Sequence, residues 1–94
     1  MKLKWMGRTR RDLDWICGHI EQHNPMAAWR ISQDIRACAS RLSDFPHLGK
    51  ASDEIGVRFL QVARRPYLLT YRLSDQSIEI LTVFDQRRDP EDML

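Results

Sequence analysis

The sequence offers little with which to cross-link itself or ligate a metal. Its 94 residues hold two cysteines, Cys17 and Cys38, and three histidines, His19, His23 and His47. Two cysteines make no disulfide framework. If their predicted helices turn back on one another at Asn24, Cys17 lies seven residues before the turn and Cys38 fourteen after it. The axial offset is then ~10 Å, beyond the ~7 Å that a bridge spans. The histidines lack zinc-ligand spacing. Both thiols are therefore expected as small buried hydrophobes, and no metal or cofactor is expected. Long apolar runs are missing too: none approaches the ~20 residues of a membrane span, and no basic start with an apolar stretch marks a secretory leader. The chain reads as soluble and cytoplasmic. Nor is there an excess of one charge. Fifteen Lys and Arg against thirteen Asp and Glu leave +2, too little for a bulk polyelectrolyte ligand of nucleic acid. Lysine is the scarce cation, since twelve of the fifteen are arginine. Arginine's planar fork suits carboxylates and phosphates, although genome composition explains such a bias equally well.

What is present is a globular balance, 43% hydrophobic and 30% charged. It excludes a disordered chain, and the length leaves room for one core, so residues 1–94 form a single domain. Leu3-Lys4-Trp5-Met6 reads as a short edge strand. Thr9-Arg10-Arg11-Asp12 has the form of a capping box opening a helix. Leu13, Ile16, Cys17 and Ile20 then recur at i, i+3, i+4 and i+7, one apolar stripe. Asn24-Pro25 ends this helix and starts another, Asn as N-cap and Pro at the first helical position. The second stripe is Ala28, Ile31, Ile35, Cys38 and Leu42. So short a link implies an antiparallel helix hairpin. Ser43 to Gly56 reads as a loop with apolar anchors.

After Gly56 the period becomes that of strands: Val57–Ala63, Tyr67–Leu73 and Ile78–Phe84, joined by links short enough for antiparallel hairpins. In the last strand Ile78, Ile80, Thr82 and Phe84 are expected on one face, Glu79, Leu81 and Val83 on the other. Residues 85–94 read as a charged tail. The expected class is α+β: a short N-terminal strand, then a helix hairpin packed on one face of an antiparallel β-meander.

Read in order, these motifs resemble the RelE/ParE superfamily of small toxins from bacterial type II toxin–antitoxin modules. The carriers are Asp12-Leu13 with Ile16 and His19-Ile20, Asn24-Pro25 with Ala27-Ala28, then Leu42, Phe45-Pro46 and Leu48-Gly49. Gly56-Val57-Arg58, Tyr67-Leu68, Tyr71-Arg72 and Ile78-Glu79-Ile80-Leu81 follow, leading through Val83 to Arg87-Arg88. The resemblance implies a plasmid-stabilising or growth-controlling toxin, held in a hetero-oligomer by a cognate antitoxin. RelE-like members cut messenger RNA on the ribosome, whereas ParE-like members poison DNA gyrase.

Chemistry weighs these branches. Cutting RNA through its 2′-hydroxyl requires a base, an acid and cations on the phosphorane. Arg58, Arg72 and Arg87 or Arg88 supply cations if neighbouring strands bring them to one exposed sheet face. The acid–base pair is thinner. Asp85 stands where the resemblance places histidine in many relatives, and an exposed Asp with a pKa of ~4 is a weak base and a poor acid at neutral pH. Glu54 is another weak candidate, and the histidines precede the sheet. The ParE-like branch is preferred, with Arg58, Arg72, Arg87 and Arg88 as target-binding candidates. A RelE-like nuclease is the alternative, and a degenerate antitoxin-binding module the third reading. Each arginine also has a plain structural reading, such as pairing across the sheet with Glu79. Arg8, Arg10 and Arg11 sit at a helix N-terminus, where positive charge is mildly unfavourable. Trp5, Trp15 and Trp29 are the antitoxin-binding candidates: they either close the edges of the hairpin core or form an apolar patch that needs a partner.

Overall fold

Asn24 and Pro25 organise the helical half as their chemistry dictates. The computed structural model describes residues 1–88, with α1 at Gly7–Glu21 and α2 at Pro25–Ser40. The Asn24 side chain accepts the Ala27 N–H at 3.1 Å, satisfying a donor that the first turn of α2 leaves orphaned. Five strands complete the domain: β1 Lys2–Trp5, β2 Lys50–Ala51, β3 Val57–Gln61, β4 Tyr67–Leu73 and β5 Ser77–Asp85. Their order is β1-β5-β4-β3-β2. The expected antiparallel meander of β3, β4 and β5 is present. The N-terminal strand is an edge strand, and it runs parallel to β5. Parallel neighbours require a crossover, and the intervening chain, with both helices, provides it. The core joins Leu13 and Ile16 of α1 and Ile31 and Ile35 of α2 to Leu69, Tyr71, Ile78, Ile80 and Val83 of the sheet.

Four details depart from the sequence reading. First, Thr9 and Asp12 form no capping box: α1 starts earlier, at Gly7, with no side-chain cap. Thr9 is fully buried and donates its hydroxyl to the Ile80 carbonyl at 2.6 Å, while Asp12 Oδ2 accepts the Val83 N–H at 3.1 Å. The Ile80 carbonyl, where β1 ends its pairing, already accepts the Met6 N–H, and Thr9 adds a second donor there. Past Ile80 β1 covers nothing, so Asp12 satisfies the Val83 N–H on the edge of β5. Second, Thr70 faces Thr82 but Tyr71 faces Ile80, which leaves Leu81 as an extra residue in a β-bulge. The bulge reverses the alternation. After Ser77, the buried set of β5 is thus Ile78, Ile80, Val83 and Asp85 instead of an unbroken even-numbered row.

Third, the stretch 43–56 is more than a loop, because Lys50 and Ala51 pair with Phe59 and Arg58. Fourth, Asp85 is no part of a tail; it is the buried last residue of β5. Residues 89–94 lie outside the described residues.

Asp12 gives this arrangement a pH signature. Burial pushes its carboxyl above the ordinary value of 3.8, although the Val83 N–H, Arg8 and Arg11 pull the other way. Between 3.8 and the raised value the folded chain binds more protons than the unfolded chain, so this contribution to stability is lost as pH rises through that window. The stability difference between wild type and Asp12→Asn should therefore shift in favour of wild type as pH falls from 7 towards 4. Urea unfolding of both proteins across that range checks it; a constant difference contradicts the assignment.

Candidate functional site

Register decides where the sheet arginines point. Arg58 lies opposite Tyr71, so it shares the helix-covered face with the core. Arg72 follows Tyr71 in β4 and therefore points to the opposite, uncovered face. The expected gathering of Arg58 and Arg72 on one face does not occur, because residues that differ by one position from a cross-strand pair alternate sides. Arg58 Nη1 donates to the Gly49 carbonyl at 2.7 Å and to the His47 carbonyl at 3.4 Å. It clamps the 44–50 loop. Arg72 stands between Glu54 at 3.9 Å and Glu79 at 4.0 Å, the cross-strand pairing that its structural reading predicts. Both contacts are long and the Arg72 side chain is exposed, so they contribute little.

Arg87 is tied more firmly. Its Nε and Nη2 donate to Asp85 Oδ1 and Oδ2 at 3.1 and 3.0 Å, its backbone N–H adds a bond to Oδ1 at 3.0 Å, and its guanidinium lies 5.9 Å from the Tyr67 ring centre. Tyr67 and Tyr71 are four residues apart on β4, roughly 13 Å along a strand, so Arg58 and Arg87 occupy opposite ends of the sheet. Burial alone would raise the Asp85 carboxyl, but the Arg87 side chain and backbone hold it below the ordinary 3.8. The stability from this pair is present above 3.8 and is lost as pH falls through the lowered value. Asp85 is consequently a feeble proton acceptor at neutral pH and no proton donor. The hydroxyls of Tyr67 and Tyr71 are pushed above 10 by burial. Tyr71 also donates to the Pro46 carbonyl at 2.8 Å and accepts the Gly49 N–H at 2.9 Å.

The tryptophans separate in the same way. Trp5 and Trp15 are half-buried and pack against the core. Arg36 lies 5.8 Å from the Trp5 ring centre. Arg88 stacks on Trp15 at 3.7 Å, and the His19 ring lies 4.1 Å from it. Trp29 is the exposed one, at 60%, and Met26 one turn earlier is 56% exposed. Sequence reading missed Met26, because position 26 looks like any first-turn residue beside Asn24-Pro25. Trp29 rims a groove of about 360 Å³ between the helices, with Leu13, Cys17 and Ala28 in its lining. An adjoining hollow of about 330 Å³ is lined by Trp5, Arg10 and Arg36. Cys17 and Cys38 are both unpaired. Among the described residues no three His, Cys, Asp or Glu side chains gather to hold a metal ion, and no helix is long and apolar enough to cross a membrane.

A surface with a helix groove and scattered, pre-engaged arginines suits protein binding. Residues 3–90 match the family described as "ParE toxin of type II toxin-antitoxin system, parDE". The chain is similar to "Putative toxin Y4kP" of Sinorhizobium fredii, 35% identical over 82 residues that cover 87% of this chain and 84% of that one. It is also similar to "Toxin RelE2" of Caulobacter vibrioides, 29% identical over 79 residues, with 84% and 88% covered. A solved chain from the chromosomal ParDE toxin–antitoxin system of P. aeruginosa superposes with a TM-score of 0.81 at 31% identity, covering 90% of this chain and 95% of that one. The fold, the groove and these matches place the chain in the ParE toxin family of type II toxin–antitoxin systems, to which it belongs.

Proposed function

We propose that the protein acts in the cytoplasm as a ParE-like inhibitor of DNA gyrase and is neutralised by a cognate antitoxin. The observation that carries the target assignment is the Asp85–Arg87 pair. The residue best placed to serve a nuclease as acid or base is bound bidentately, with its carboxyl held below the ordinary range. A gyrase ligand requires only a binding surface. Arg72 on the uncovered face and Arg87 beside Tyr67 keep side chains that are 45% and 64% exposed, while Arg58 and Arg88 are engaged with the loop and with Trp15. For the antitoxin, the groove beside Trp29 suits an amphipathic helix, and the free edge of β1 offers unpaired backbone groups to an extended stretch.

The second reading, a ribosome-dependent nuclease, is favoured by the likeness to the Caulobacter protein named "Toxin RelE2". Purified protein added to a gyrase supercoiling reaction should yield linearised plasmid, while a translating extract read by primer extension should retain intact message. Cleaved message with normal supercoiling overturns the proposal in favour of the nuclease. No effect in either assay overturns it in favour of an antitoxin-binding module without toxicity.

A further inference from the structure

The flank of α2 facing away from Trp29 carries a second recess that the reading above does not use. At ~100° per residue, Asp34, Cys38 and Arg41 fall opposite Ala28, Ser32 and Arg36. They line a cleft of about 630 Å³ whose other wall is the turn between β3 and β4, including Val62, Arg64 and Arg65. Its floor is apolar, since Cys38 and Val62 are both buried. Its charge is unbalanced. Arg65 pairs with Asp34 at 2.9 Å, whereas Arg41 and Arg64 have no acidic partner among the described residues.

The turn is also conformationally unusual. Arg64 has φ 64°, a left-handed conformation that side-chain-bearing residues seldom adopt, and it is the one non-glycine residue with positive φ among those described. Gln61 holds the turn, donating its side-chain amide to the Arg65 carbonyl at 2.7 Å and the Tyr67 carbonyl at 3.1 Å. Glycine would serve this backbone better, so the arginine head group is what the position gains.

We propose that this cleft docks an acidic peptide segment of a partner protein, with a carboxylate taken by Arg41 and Arg64 and an adjacent apolar side chain seated over Cys38 and Val62. A nucleic-acid backbone fits less well. The lining contains no aromatic ring on which a base could stack, whereas Cys38 and Val62 offer an apolar seat to a peptide side chain.

The test is fluorescence anisotropy of the full chain with a labelled decapeptide of alternating Glu and Leu, beside its Gln–Leu analogue and labelled decathymidylate. The Glu peptide should bind, and the other two should bind at least about tenfold more weakly. Arg64→Gly should reduce Glu-peptide affinity by about tenfold, the scale of one charge-assisted contact. Its thermal midpoint should hold or rise, because glycine suits the left-handed turn. If Arg64→Gly does not fold, Arg41→Ala, at an exposed helix end, decides by the same change in affinity. Undiminished peptide binding by the variant, equal binding of the Gln analogue, or preference for decathymidylate each overturns the proposal. None of these readouts depends on gyrase or on the Trp29 groove, so this site and the proposed function stand or fall separately.

Discussion

Gly49→Ala should lower the thermal midpoint by roughly 10 °C or more, the largest stability effect expected from a single added methyl group in this chain. A Cβ at position 49 would lie 2.6 Å from the Phe59 carbonyl oxygen and 2.7 Å from both Cε1 and Oη of Tyr71. Real Cβ atoms do not approach so closely, and the obstacles are a strand backbone and a ring packed in the core. Overpacking of this kind typically costs ~1–3 kcal/mol, and each kcal/mol moves the midpoint of a domain this size by roughly 4–8 °C. A further loss follows if Tyr71 is displaced. Its hydroxyl holds the Gly49 N–H and the Pro46 carbonyl, and stranding buried polar groups costs ~1–3 kcal/mol. The Arg58 clamp on the Gly49 carbonyl would be strained as well. Differential scanning calorimetry of the variant checks this; a shift below about 3 °C would mean that the 44–50 loop adapts cheaply and that Tyr71 is no anchor.

Trp29→Ala should weaken binding of the antitoxin by about 30-fold or more, with little change in the stability of the free toxin. Tryptophans that fill a partner's pocket are frequent hot spots, costing at least ~2 kcal/mol on truncation. Trp29 is 60% exposed beside the helix groove, so the free protein gives up little packing when it is removed. Trp15 does not provide the same test. It packs against the core between Arg88 and His19, and its loss would confound binding with folding. Titration calorimetry of wild type and variant with the purified antitoxin measures the effect directly. Equal affinities would place the antitoxin elsewhere and leave the exposed indole unexplained.

These two expectations mark where sequence reading succeeds and where it stops. Trp29 stands out in the sequence because it lies off its helical stripe, but so does Trp15, and only the packing leaves Trp29 exposed while Trp15 rests on the core. Gly49 does not stand out. Its importance arises from Tyr71, 22 residues away, whose hydroxyl reaches the loop only once β4 is in the sheet. The arginines show the same limit more sharply. Arg58 and Arg72 read as two cations on adjacent strands, but the register of β3 against β4 turns them to opposite faces. Asp85 reads as an exposed tail carboxylate, yet it closes β5 in a bidentate pair with Arg87.

The amino-acid sequence by itself determined the helix hairpin, the meander, the unpaired cysteines and the family resemblance. The elements rest on short-range physics, the 3.6- and 2-residue periods, the cap at Asn24-Pro25 and the short links between strands, and the resemblance on the order of the motifs they carry. Tertiary structure decided the rest. Thr9 and Asp12 were drawn from a local cap to β5, Thr9 to the Ile80 carbonyl where β1 stops pairing and Asp12 to the Val83 N–H beyond it, which β1 is too short to cover. The bulge at Leu81 reassigned which β5 side chains are buried, since one inserted residue inverts a two-residue period. Arg65 meets Asp34, and Arg72 meets Glu54, only because the fold brings distant segments together, and no local pattern in the chain encodes that approach.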